Sequence, residues 1–174
     1  IAERFRVGSG TPVIGSGSLS GRASGVYTAN GNITISASTI AAGRSVIINA
    51  GSNTVTISGD INYATGPFTS ASQLPQLLIL ANNITINAAV RNVDAWLIAP
   101  GVQSGTTVTG GVIRTCDVAP ASINSSRCNL PLTVNGPVVA NSLLMLRTGG
   151  SEPGNRRGDP AEVFNFRPDA YIWA

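Results

Sequence analysis

The charged side chains that are candidates for catalysis are few and widely spaced. The chain carries eight acidic residues and eleven arginines, with no lysine and no histidine. This composition excludes Ser-His-Asp triads, histidine metal sites and Schiff-base chemistry. Arg91 and Asp94 are the best candidate pair for polysaccharide cleavage, in which an arginine acts as the base beside an acidic residue. A structural ion pair at a corner of the fold is the simpler interpretation of these two residues. We therefore expect no catalytic residues, no cofactor and no metal site.

The two cysteines, Cys116 and Cys128, lie twelve residues apart in a long polar segment. Two cysteines without histidine make a poor zinc site, whereas a disulfide is typical of exported proteins. The spacing predicts a disulfide that closes this segment, and two buried free thiols are the alternative.

Two short motifs could support contacts outside the chain. Arg157, Gly158 and Asp159 spell an RGD tripeptide, which also fits a polar turn before Pro160. Asn32, Asn83 and Asn124 satisfy the glycosylation pattern N-x-[ST], but the first two fall within predicted strands, which makes a glycan there doubtful.

Four segments alternate polar and apolar residues in the same way, as half-buried strands do. They are 32–36, 54–58, 83–87 and 131–135, with the sequences NITIS, TVTIS, NITIN and PLTVN. Each is followed by a turn with one branched apolar residue, and then by a more hydrophobic strand. The branched residues are Ile40, Ile61, Val90 and Val138, and the hydrophobic strands are 45–48, 77–80, 95–98 and 143–146. This recurring order predicts a stack of rungs with three faces each.

The predicted fold is a right-handed parallel β-helix, or β-solenoid, of about four rungs with insertions at the corners. The central threonines are 22, 29 and 48 residues apart, and a solenoid tolerates such uneven spacing because each rung needs only its neighbours. Residues 29–174 form the predicted solenoid domain, with a loop insertion at 100–130, and 1–28 are a Gly/Ser-rich lead-in or an N-terminal cap. An antiparallel sandwich is the alternative, but it gives no reason for the fixed order of strand types.

One outward face of the predicted stack is uncharged. In the predicted register its central column is Thr34, Thr56, Thr85 and Thr133, and the inward column beside it is Ile33, Val55, Ile84 and Leu132. Threonine suits a strand surface, so the column is explained by structure alone. Its functional interpretation is a flat contact face for a neighbouring subunit, a glycan or ice.

The remaining composition limits the classes of partner. The net charge of +3 is small and lysine is absent, so nucleic-acid binding is not expected. No apolar run approaches the roughly 18 residues of a spanning helix, so no transmembrane segment is expected. The apolar residues from Phe164 to Trp173 predict a last rung that is covered by a neighbouring copy or by the rest of a longer parent chain.

Three parts of the chain are similar in sequence to known proteins. They are the stretch from Leu77 to Ile98, the pair Cys116 and Cys128, and the C-terminal segments Val134–Ala140 and Phe166–Trp173. Together they resemble a segment of large, uncharacterised bacterial cell-surface proteins, over about two thirds of the chain from Val26 onward. The resemblance implies export and a surface location, and it carries no catalytic residues. The sequence thus predicts a structural or adhesive surface module that could assemble end to end into a filament. A glycan-binding or polysaccharide-cleaving β-helix is the alternative.

Overall fold

The computed structural model describes residues 8–122, 127–148 and 159–167. The framework of the described part consists of three parallel sheets of five strands each, and each sheet forms one side of a stack. Sheet I contains β1 (Gly25–Thr28), β4 (Ser45–Asn49), β7 (Gln76–Leu80), β10 (Trp96–Ala99) and β15 (Val138–Ala140). Sheet II contains β2 (Ile33–Ile35), β5 (Thr54–Ile57), β8 (Asn83–Ile86), β13 (Val112–Arg114) and β16 (Ser142–Leu144). Sheet III contains β3 (Ser38–Ile40), β6 (Ile61–Tyr63), β9 (Asn92–Asp94), β14 (Leu132–Asn135) and β17 (Glu162–Asn165).

The chain visits the three sheets in the same order in every rung, so the predicted parallel β-solenoid is confirmed. The described part contains five complete rungs, whereas the sequence pattern predicted about four. The right-handed sense of the solenoid stays a prediction. It is based on the strong preference of parallel crossover connections for right-handedness.

The fourth predicted rung is wrong in its register. Residues 131–135 were expected to extend the column of β8, but Thr133 pairs with Asn92 of β9, which places β14 in sheet III. The strand that does extend sheet II is β13, inside the predicted loop insertion, where Ile113 pairs with Ile84. The reason is that all three sheets alternate inward and outward residues, so the pattern of a strand does not tell which sheet it joins.

The same error affects the strands that follow β14. Val138 was expected to match Ile40, Ile61 and Val90, but it opens β15 and pairs with Leu97 in sheet I. Residues 143–146 were expected to extend the column of β10, but Leu143 pairs with Ile113, so β16 belongs to sheet II.

Aliphatic side chains from the three sheets fill the interior. In sheet II the inward column is Ile33, Val55, Ile84 and Ile113, all buried. The two strands β4 and β7 of sheet I are covered on the outer side as well, because Ile47 and Leu78 lie outside the core cluster and are still buried. Burial on both faces explains why β4 and β7 are nearly continuous apolar runs.

The N-terminal end of the stack is closed by residues 12–24. Pro12 and Gly17 use their carbonyl oxygens to accept the backbone N–H groups of Thr28 and Ser36. Serine hydroxyls accept two further edge N–H groups, Ser16 from Thr34 and Ser20 from Thr39, both at 2.9 Å. Ile14 and Leu19 of this segment are buried in the core. Residues 12–24 therefore cover the first rung, and these four edge donors are satisfied.

Candidate functional site

The predicted threonine face is present over three rungs. Thr34, Thr56 and Thr85 pair in register on sheet II, as expected. The fourth position of this column is occupied by Arg114, and Thr133 lies on sheet III instead. A guanidinium group in this column interrupts the uncharged surface, so the regular hydroxyl ladder ends at β8.

The predicted disulfide is confirmed, and it closes the corner between sheets II and III. Cys116 follows β13 and Cys128 precedes β14, and their Cα atoms are 5.9 Å apart. Both cysteines are buried in a small second core with Val118 and Leu146. The disulfide therefore fixes the base of the insertion to the stack by covalent and apolar contacts.

A buried arginine holds the same corner together. Arg147 follows β16, and its guanidinium donates to the carbonyl oxygens of Thr115 at 2.5 Å, Ala88 at 2.6 Å and Asn87 at 2.8 Å. It also donates to Leu130 at 3.3 Å. These carbonyls belong to three different parts of the chain, so one side chain joins them in a single network.

Glu162 connects this network to the last rung. One carboxylate oxygen, Oε1, accepts the Thr115 hydroxyl and the backbone N–H of Arg147, both at 2.7 Å. Thr115 in turn accepts the N–H of Leu146 at 2.7 Å. Burial lowers the pKa of Arg147, while the negative charges of Glu162 and then Asp117 oppose that shift. Burial of the guanidinium costs free energy, and the nearby carboxylate and the carbonyl acceptors offset this cost.

A shallow groove of about 360 Å³ lies beside the disulfide. Asp117 and Arg127 give it charge of both signs, and the other lining residues are Ala88, Ala89, Val118, Cys128, Asn129 and Leu130. Asp117 also accepts the backbone N–H of Ala88 at 3.1 Å, which fixes one wall. This corner was recognised in the sequence only through its cysteines. Arg147 and Glu162 gave no signal, because they belong to no motif and lie fifteen residues apart.

Asp94 and the backbone of Arg91 both take part in hydrogen bonds between rungs. Both carboxylate oxygens of Asp94 have donors, namely the N–H of Tyr63 at 2.7 Å and the side-chain amides of Asn92 and Asn135 at 3.0 and 2.8 Å. Arg91 donates its backbone N–H to Asp60 at 2.7 Å. Asp94 is buried, and its bonds join neighbouring strands of sheet III.

Asparagine side chains form further hydrogen bonds between rungs along sheet III. These bonds were not predicted from the sequence. The Asn135 amide bonds to Asn92, and the Asn165 amide bonds to Asn135, at 3.0 and 2.9 Å. Such amide ladders satisfy polar groups between rungs and fix their register. The signal available in sequence was the aspartate or asparagine that ends three strands of this sheet, at Asp94, Asn135 and Asn165.

Of the remaining motifs, the glycosylation patterns at Asn32 and Asn83 have a structural explanation. Their side-chain oxygens accept the N–H groups of Thr54 at 2.8 Å and Val112 at 3.2 Å in the next rung. Asn124 lies outside the described residues, as do Arg157 and Gly158 of the RGD tripeptide, while Asp159 is exposed.

Within the described ranges, no three or more Cys, Asp or Glu side chains cluster closely enough to hold a metal ion. No helix in the described part is long and apolar enough to cross a membrane. Comparison with protein-family models, curated proteins and solved structures found no match to this chain.

Proposed function

We propose that this chain is a structural and adhesive module of an exported bacterial surface protein. In this proposal the three-sided stack is a rigid support, and the insertions at its corners make the contacts with a partner. The observation that carries it is the disulfide corner, where a covalent bond and a buried arginine mount an insertion firmly on the stack. Such mounting preorganises a contact surface and reduces the entropy lost on binding.

The corner between sheets I and II carries a second projecting element. It is an antiparallel hairpin of β11 (Val102–Ser104) and β12 (Thr107–Thr109), and every residue in both strands is exposed. Val102 and Val108 are each 43% exposed. An isolated hairpin contributes little to stability, so exposed valines at its surface suit a contact role better than a packing role.

The N-terminal end favours display by single modules over assembly into a filament. Serine hydroxyls and backbone carbonyls of residues 12–24 already accept four edge N–H groups of the first rung. A second copy stacked on this end would have to displace them to form a parallel ladder.

The buried aromatic residues give little support to carbohydrate binding. Tyr27 and Tyr63 are 9% and 8% exposed, so they cannot offer flat ring faces to a sugar. Each is also covered by an arginine, Arg22 on Tyr27 and Arg167 on Tyr63.

The proposal is tested with beads that carry the purified protein and are applied to host-cell monolayers. Replacing Val102 and Val108 by serine should reduce attachment roughly tenfold, the effect of losing about 1.4 kcal/mol of binding free energy. A control with Thr56→Arg and Thr85→Arg changes the threonine face and should attach like the unmodified protein. If the arginine variant attached poorly and the serine variant attached normally, the contact would lie on sheet II. If beads with the unmodified protein attached no better than uncoated beads, the adhesive role would be refuted.

A further inference from the structure

The sequence contains two Asn-Gly pairs, Asn30 with Gly31 and Asn135 with Gly136. The side-chain amide of an asparagine can react with the backbone nitrogen of the next residue, and glycine has no side chain to hinder that approach. The two pairs lie in very different surroundings, so the fold decides which of them is free to react.

The reaction in question is deamidation through a cyclic imide. The backbone nitrogen of the glycine loses its proton and forms a bond to Cγ of the asparagine, while the amide C–N bond breaks and its nitrogen leaves as ammonia. Water then opens the imide at either of its carbonyl carbons, which gives aspartate or isoaspartate. The nitrogen must reach Cγ, so a reacting pair needs freedom of both the side chain and the backbone.

The pair at Asn135 lacks this freedom. The Asn135 amide donates to the side-chain oxygens of Asn92 and Asp94, at 3.0 and 2.8 Å. The attacking group, the backbone N–H of Gly136, donates to the carbonyl oxygen of Asn165 at 2.9 Å. Asn135 also ends strand β14, which is paired on both sides. Local opening of these bonds must therefore precede any reaction.

The pair at Asn30 has the freedom that Asn135 lacks. Asn30 is exposed in the bend that joins β1 to β2, at the corner between sheets I and II of the first rung. Within the described residues, neither the Asn30 side chain nor the Gly31 N–H makes a hydrogen bond. A Cβ placed on Gly31 would meet no atom within 4 Å, so the space around the reacting atoms is open.

The residues on either side of this pair are held to the second rung. Ala29 donates its backbone N–H to Asn49 at 3.3 Å and accepts the Asn53 amide at 3.2 Å. The side-chain oxygen of Asn32 accepts the backbone N–H of Thr54 at 2.8 Å. Both ends of the bend are thus anchored, and a covalent change between them is confined to the corner.

We propose that Asn30 is a site of spontaneous deamidation, with water as its co-reactant, and that the fold protects Asn135 from the same reaction. The product adds a carboxylate to the corner between sheets I and II and lowers the formal net charge of +3 by one. The hairpin of β11 and β12 projects from the same corner in the fourth rung. The chain thereby acquires a time-dependent negative charge on this edge, and the proposal does not depend on the adhesive role.

Peptide mapping by mass spectrometry tests the proposal on the full chain. The protein is aged in mildly alkaline buffer and then digested with trypsin, which cleaves after arginine and places the two pairs in separate peptides, 23–44 and 128–147. Asn30 should gain the mass that accompanies replacement of NH₂ by OH at least roughly tenfold faster than Asn135, because Asn135 must first lose its hydrogen bonds. Ageing in urea should bring the two rates together, since the protection of Asn135 comes from the fold.

Gly31→Ala is the control at the reactive pair. Gly31 does not have the positive φ that strains other residues, and the added methyl group has open space, so the Tm should stay unchanged. The methyl group restricts the backbone, and conversion of Asn30 should slow severalfold. Equal rates at Asn30 and Asn135 in the native chain would overturn the proposal. Conversion of Asn30 in urea but not in the native chain would overturn it as well, because the corner would then protect this pair too.

Discussion

Replacing Arg147 by methionine should destabilise the protein by about 3 kcal/mol, through the loss of its bonds at the disulfide corner. The guanidinium makes three short bonds, to the carbonyls of Thr115, Ala88 and Asn87. A hydrogen bond to a charged group contributes about 1.5–3 kcal/mol. Burial lowers the pKa of Arg147 because it penalises the charged guanidinium. Methionine avoids this desolvation cost, so the variant regains part of the free energy lost with the hydrogen bonds. The net effect therefore falls below the sum of the bonds.

Thermal and urea denaturation of the variant measure this effect. For a chain of this size, about 3 kcal/mol corresponds to a decrease in Tm of roughly 6–12 °C. The matched control is Arg44→Met at an exposed corner, where a change below about 0.5 kcal/mol is expected. If Arg147→Met were as mild as the control, the arginine would not hold the corner, and the rigid mounting of the insertion would be refuted.

Three further substitutions test other parts of the structure. Serine at both Cys116 and Cys128 should cost about 3 kcal/mol by the loop-entropy estimate, and urea denaturation without reductant would contradict this if the midpoint were unchanged. Ile113→Asn should cost roughly 3 kcal/mol or more because Ile113 has no exposed surface, whereas Val108→Asn on the hairpin should cost little; equal midpoints in thermal denaturation would argue against β13 as a core strand. Gly136→Ala should also lower the Tm by several degrees, since Gly136 has φ +153° and an added Cβ would meet the carbonyl oxygen of Ala95; an unchanged Tm would contradict this close approach.

The first three rungs were predictable because their sequences repeat the cues that fix a strand. Ile33, Val55 and Ile84 each sit beside a threonine in the same alternating pattern, and the structure pairs them in register. The disulfide was predictable from composition and spacing. These features are local, and so a sequence pattern can reveal them.

The fourth rung was not predictable from the same cues. Strand β13 is only three residues long and carries Arg114 where the pattern requires threonine. Strand β14 matches the pattern but joins sheet III, since its pairing is decided by the long connection after β13 and not by its own residues. The network of Arg147 and Glu162 was also missed, because its partners meet only after the rungs have stacked.

Staining of intact bacterial cells with an antibody against the hairpin residues 102–109 tests the central proposal most directly. These residues are exposed on the described structure, so the epitope is accessible on the folded protein. The proposal predicts equal staining of intact and permeabilised cells that produce the protein. Staining that appears only after permeabilisation would place the chain inside the cell and contradict a surface module.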